Sequence, residues 1–338
     1  MNLREAQSEL RQLLSRVEPS QLPKLLDWMR TSGTRARPRL RRLLTRFELS
    51  ERHTCRVVVD FVYPRCLAFG DELDELLVDN NQAILRCIAD DIRDSLPTDA
   101  MLGCEANALH KMKQRARPTV HVDAFLYDDE HVDSLCEAGR MSRCYCLKCG
   151  SCSTAPLDFV SHSFSMCELL FLFQNVLPDL RGRTLVDVGS RLGAVLYGGY
   201  VYSSASRLVG IEVSEEFVHL QNKIVHKYGM DARVQVIHAD VCTQEDLLRN
   251  ADVVVMNNVF EYFMEPGEQV RTWRFIMQAF RKPGSLLVTV PGLHDALQPL
   301  QEPLPAGWVE ELPLDYHVYV GKDCDPEDLR QIHLYRVL

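Results

Sequence analysis

The stretch Thr184-Leu-Val-Asp-Val-Gly-Ser-Arg-Leu-Gly193, followed by Arg207-Leu-Val-Gly-Ile-Glu212, decides how this 338-residue chain is read. Each begins with a short apolar run that ends in an acid, and a small-residue loop follows the first. This reads as strand, loop, helix and strand. In an open parallel sheet, ligands bind in the crevice outside the carboxyl ends of the strands, and Gly189 and Gly193 let the backbone approach such a ligand closely.

A dinucleotide site needs Gly-x-Gly-x-x-Gly to cradle a pyrophosphate at a helix N-terminus. Here Asp187 precedes the loop and only Gly189 and Gly193 lie within it, which serves a pyrophosphate poorly. An acid on the first strand suits a ligand with positive charge, and an acid ending the second strand takes both hydroxyls of a ribose. S-adenosylmethionine (SAM) carries both. The segment resembles the first motif of the class I SAM-dependent methyltransferases, Asp-x-Gly-x-Gly-x-Gly with a ribose-binding acid on the next strand. The resemblance makes Asp187, Gly189, Ser190, Gly193 and Glu212 cofactor contacts. Arg191 stands where the family has its middle glycine. Its side chain faces solvent, reaches the cofactor's carboxylate, or fills the pocket.

The later elements follow in the order such a fold requires. Ser214 caps a helix with Glu215 and Glu216 in its first turn and Phe217, Leu220, Ile224 and Tyr228 on one face. Arg233 to Asp240 reads as a third strand, and the resemblance gives Asp240 and Val241 to the adenine. Ala251 to Met256 is apolar enough for a strand buried on both faces. It runs into Asn257-Asn-Val-Phe-Glu-Tyr-Phe263. That segment resembles the fourth motif in two forms: Asn-Val-Leu-Glu-His of many small-molecule methyltransferases, and Asn-Asn-Phe of the non-SET histone lysine methyltransferases. Asn257, which also borders the cofactor, Asn258 and Tyr262 are the candidate catalytic residues, placed to accept hydrogen bonds from a nucleophile or orient it.

A helix over Glu268 to Arg281, a break at Lys282-Pro-Gly284, a strand to Val290 and two closing strands from Trp308 to Leu312 and Ile332 to Leu338 complete the pattern. The expected fold is α/β, a Rossmann-like seven-stranded class I methyltransferase sheet over residues 158–338. Just ahead, Ser165-x-x-Glu168 has capping-box form. A Ser-Phe pair there closes over the cofactor in the histone enzymes, so the resemblance offers Ser163 and Phe164 as contacts; the alternative is a cap and a core aromatic.

Residues 1–116 read as a helical module, with leucines at helical spacing and a long acidic amphipathic stretch from Leu73 to Ile92. Arg35 to Arg46 carries six arginines, suited either to an acidic partner or phosphates or to the solvated face of a helix. Residues 117–157 are a cysteine-rich connector. Cys146-x-x-Cys149-Gly has the shape of a zinc knuckle, and Cys136, Cys144, Cys152 or His131 supply the remaining ligands of a structural zinc; isolated thiols are the alternative. The start of the sequence shows no apolar signal-like run, and Leu169 to Leu177 is too short and interrupted to span a membrane. Cytosol or nucleus is expected, with no membrane association. The net charge of −9 argues against nonspecific nucleic-acid binding by the whole surface.

Three functions remain open: methyl transfer to a macromolecule (protein or RNA), which the helical arm, arginine run and knuckle favour; methyl transfer to a small molecule; and a noncatalytic SAM-binding scaffold, favoured by Arg191.

Overall fold

A computed structural model describes residues 70–115, 117–148, 152–318 and 326–338. The leucine-patterned helices before residue 70, the arginine run and Cys149 lie outside the described residues. The chain divides into two units, Met1–Cys87 with His226–Met230, and Ile88–Val225 with Asp231–Leu338.

The acidic stretch is helix α1, Gly70–Arg93. Within the second unit its Ile88, Ala89 and Ile92 are fully buried, as the 3.6-residue period requires. A 3-10 turn, Gly103–Glu105, leads into α2, Ala106–Lys113, and a short strand β1, Thr119–His121. After α3 (Asp129–Glu137) the connector forms a small hairpin of β2, Cys144–Cys146, and β3, Thr154–Pro156. Strand β4, Asp158–Val160, pairs in parallel with β1. Ser165 caps α4, Met166–Phe171, and makes both reciprocal bonds of the capping box with Glu168, as the sequence indicated.

The rest alternates strand and helix: β5 (Thr184–Val188), α5 (Ala194–Tyr202), β6 (Arg207–Glu212), α6 (Glu215–Lys227), β7 (Val234–His238), α7 (Glu245–Asn250), β8 (Val253–Asn257), α8 (Pro266–Ala279), β9 (Leu286–Val290), α9 (Leu293–Leu297), β10 (Val309–Leu312), α10 (Pro326–Leu329) and β11 (His333–Val337). One seven-stranded sheet results, in the order β10-β11-β9-β8-β5-β6-β7. The strands β5 to β9 are mutually parallel, and β11 runs antiparallel to both β9 and β10. Its centre is buried on both faces, with Val186, Val209, Val254 and Leu287 in one core with Ile276 and Phe280 of the covering helix region. The chain runs outward from β5 through β6 to β7, then returns to lay β8 on the other side of β5. The crevice at the carboxyl ends of β5 and β8 is therefore the switch point of the sheet.

Candidate functional site

Three loops meet at this end of the sheet. From β5 comes Asp187, 4% exposed, with the loop Gly189–Gly193 behind it. Gly189 adopts φ +69°, and a Cβ on it would stand 2.7 Å from Cγ1 of Val259, so the β5 and β8 loops approach as closely as they do because that residue has no side chain. Gly193 sits at φ +85° directly under the phenol of Tyr197. From β6 comes Glu212, whose carboxylate accepts the backbone N–H of Arg191 at 2.9 Å and that of Ser214 at 2.8 Å. From β8 come Asn257 and Asn258. Asn258 holds φ +49° and donates its backbone N–H to Val290 at 2.7 Å, and its side-chain amide to Asn257 Oδ1 at 3.1 Å.

The electrostatics are those of a site short of positive charge. Burial, and then the neighbouring charge of Glu212, push the Asp187 carboxyl well above the ordinary carboxylate range. Burial also raises Glu212, opposed by its three backbone N–H donors and by Arg191. Among the described residues no hydrogen bond reaches the Asp187 carboxylate, and the hydroxyls of Ser190 and Tyr197 are buried without partners. Buried polar groups are rarely left so, and the expectation is that a ligand completes them.

Arg191 answers the question that its position raises. Its backbone is in the left-handed region, φ +44°, and the side chain is 5% exposed. The guanidinium leaves the glycine loop for the segment that precedes the sheet. Nε and Nη2 grip Glu105 at 2.7 and 3.2 Å, Nη1 meets Asp123 at 2.7 Å, and Nη2 also donates to the Ala100 carbonyl at 2.7 Å. Its other face lies over the Phe217 ring, 5.2 Å from the centroid. The solvent-facing reading of Arg191 is corrected: two acids more than 65 residues away in sequence draw it inward.

The segment from Ala100 to Asp123 thereby forms a cap touching all three loops. Arg191 of the β5 loop is held as described, Ser214 of the β6 loop donates to Cys104 Sγ at 3.3 Å, and Tyr262 of the β8 loop receives the Arg115 guanidinium over its ring at 4.5 Å. Met101, Ala108 and Met112 pack with Tyr262 and Phe263. His121 of the cap and His162 are two histidines that sequence reading passed over. His121 and His162 stack at 5.1 Å, and His162 meets the edges of Tyr262 at 4.8 Å and Phe263 at 4.9 Å. Neither ring nitrogen of His162 has a partner among the described residues. Burial and the charge of Arg191 lower His121 to about 3 and hold His162 well below the usual histidine range, so both rings are neutral.

Of the other residues singled out from sequence, Ser163 donates to Asp123 at 2.6 Å, joining the cap network, and Phe164 is core at 1% exposed. Asp240 is exposed and caps the next turn through the Cys242 N–H at 2.8 Å, while Val241 is buried. Cys136, Cys144 and Cys152 are free thiols, and Cys146 donates to the Lys148 carbonyl at 2.6 Å. No group of three metal-ligating side chains converges among the described residues.

The strand order, with six strands aligned and the last inserted antiparallel beside β9, settles the architecture. The C-terminal half has the class I methyltransferase fold. No protein-family model matches the chain, and no curated protein matches it. Solved structures similar to it include an O-methyltransferase from Bacillus cereus in complex with SAH (S-adenosylhomocysteine), at 14% identity and TM-score 0.37, covering 53% of this chain and 84% of that one. An RNA methyltransferase from Salinibacter ruber with S-adenosyl-L-homocysteine is 18% identical with TM-score 0.32, over 50% of this chain and 86% of its own. A methyltransferase homolog protein from Pyrococcus horikoshii is 16% identical, with TM-score 0.37, over 51% and 66%.

Proposed function

We propose that the protein is a SAM-dependent methyltransferase. The observation that carries the reading is the Asp187–Glu212 pair, two buried carboxylates on adjacent strand ends at the switch point, one of them without any hydrogen bond among the described residues. Asp187 would hold the cofactor's cationic amino end, the unpartnered Ser190 hydroxyl a further polar atom, Glu212 the ribose hydroxyls with its remaining lone pairs, and Asp240 with Val241 the adenine; Ser163 and Phe164 close the site from the side of the cap. SAM supplies an activated methyl group on a sulfonium, so the protein's work is to align a nucleophile and exclude water.

The chain's own groups suit that work. Asn257 and Asn258 present amide oxygens at the end of β8, where an attacking N–H or O–H can be held. Tyr262 and the neutral His162 beside it orient the acceptor and accept hydrogen bonds without competing as cations. The acceptor we favour is macromolecular, protein or RNA, because α2 and the residues after it carry Lys111, Lys113, Arg115 and Arg117, of which Arg115 lies over the Tyr262 ring. A small-molecule acceptor is the second reading, favoured by the cap that encloses Tyr262 and His162. A structural zinc on the Cys144–Cys152 cluster, including Cys149, is proposed from spacing alone.

Calorimetry with SAM on the wild type, Asp187→Ala and Glu212→Ala tests the cofactor. Binding by the wild type and its loss in both variants is expected, and a wild type that binds no SAM refutes the enzyme reading in favour of a scaffold. Labelled SAM incubated with size-fractionated lysate then separates protein, RNA and small-molecule acceptors.

A further inference from the structure

We propose that Arg191 is a positioning residue that latches the cap, residues 100–123, over the cofactor crevice, so that cofactor enters and leaves only when this latch opens. The proposal rests on the reading of the crevice as a SAM site. The polar partners of the Arg191 guanidinium all belong to the cap: Glu105, Asp123, the Ala100 carbonyl, Met101 Sδ at 3.8 Å and His121 Nε2 at 3.3 Å. Its root, by contrast, is the cofactor loop itself, where the backbone N–H of the same residue fixes Glu212. One residue thus ties the ribose-binding acid to the cap, and a motion of either is felt by the other.

The backbone argues for the same role. A side chain at φ +44° is strained where glycine is not. Strain of this kind persists at a site when the surroundings over-determine it, and here a buried bidentate pair and a second ion pair do so. The cap's other ties to the loops are a thiol contact at Ser214, the surface pairs Lys111–Glu265 and Arg115–Glu261 with Arg115 over Tyr262, and the packing of Met101, Ala108 and Met112 on Tyr262 and Phe263; none of them holds a buried charge. Asp187, Ser190 and Glu212 are all buried with the latch closed. A ligand the size of a nucleoside reaches them after the cap has moved.

The test combines hydrogen exchange with stopped-flow SAH binding on the full chain, comparing wild type, Arg191→Gly, which installs the family's own glycine, and Arg191→Lys, which keeps the charge but loses the fork. Amides of residues 100–113 should exchange at least tenfold faster in Arg191→Gly while those of β5 keep their protection. SAH should dissociate at least tenfold faster from Arg191→Gly, with Arg191→Lys between it and the wild type. A merely structural role would lower stability and leave the SAH rate constants in place. Glu105→Gln approaches the latch from the cap side, and serves if Arg191→Gly does not fold. Unchanged cap exchange, or SAH leaving Arg191→Gly and Glu105→Gln at the wild-type rate, overturns the proposal. A wild type that takes up no SAH overturns the cofactor reading and the gate with it, and differs from a failed latch in that cap exchange still rises in Arg191→Gly.

Discussion

Replacing Arg191 by methionine keeps the length of the side chain and removes its charge, which leaves Glu105 and Asp123 buried at 6% and 0% exposed without their cation. Breaking a buried ion pair by removing one partner costs about 3–5 kcal/mol, because a buried charge is left uncompensated. For a unit of this size, at roughly 2–4 °C per kcal/mol, Tm falls by about 6–20 °C. An internal control follows from the geometry. Adding Glu105→Gln to Arg191→Met should restore about 1–2 kcal/mol, since Asp123 keeps its bonds from Ser163 Oγ and from the Phe125 and Leu126 amides while the second stranded charge is gone. Urea denaturation of wild type, single and double variants measures both. The reasoning is refuted if Arg191→Met lies within about 1 kcal/mol of wild type, or if the double variant is no more stable than the single.

Cofactor binding should be linked to a proton at Asp187: its raised carboxyl must ionise to hold a cation, so SAH affinity rises by up to about tenfold per pH unit below that pKa, and Asp187→Asn flattens the slope. Calorimetry in two buffers of different ionisation enthalpy reads the released proton, and its absence refutes the role. His121 and His162, both depressed and neutral in the fold, contribute stability that is present above the unfolded value of 6.5 and lost as pH drops below it. His162→Phe should reduce the loss between pH 6.5 and 5.5 by about 1 kcal/mol in urea titrations, and an equal loss in both proteins counts against the burial argument. Gly189→Ala should abolish SAH binding, because its Cβ would stand 2.7 Å from Val259 in a backbone conformation that alanine resists; unaltered binding would show that the β5 loop adapts. Metal analysis of the purified protein and of Cys146→Ser tests the zinc knuckle, which is abandoned if the wild type lacks stoichiometric zinc.

The sheet was legible because its signals are local. Each parallel strand is a short apolar run followed within a few residues by an acid, asparagine or glycine, and the periods of α6 and α8 place Phe217, Leu220, Ile224, Trp273 and Met277 inward as read. Even the edge pair β10 and β11 falls where the sequence put it. The ion-pair cluster was hidden for the opposite reason. Glu105 and Asp123 are 86 and 68 residues from Arg191, and nothing in their neighbourhoods repeats. A signal was nonetheless present. Asp123 interrupts the apolar stretch Val120 to Phe125, and an acid placed so needs donors. Arg191 in a loop reserved for glycine needs acceptors. His162, one residue ahead of the Ser163–Phe164 pair, carried no spacing that marks a site, and only its packing against Tyr262 and Phe263 identifies it.

The charges explain why an arginine is tolerated in the glycine loop at all. Four buried carboxylates, Asp187, Glu212, Glu105 and Asp123, gather at this end of the sheet, and the two buried histidines beside them are neutral. Arg191 is the buried guanidinium among them, and it is spent on the two acids of the cap. With glycine at position 191 those two acids would add to the field at Asp187 and Glu212 and push both carboxyls further up, away from the ionised form that grips a cation. By neutralising the cap, Arg191 leaves the strand-end pair as the acids that a bound cation would ionise. The same side chain therefore does two things that a glycine cannot. It closes the cap and confines the demand for positive charge to the two acids at the switch point, where the amino group and sulfonium of SAM would meet it.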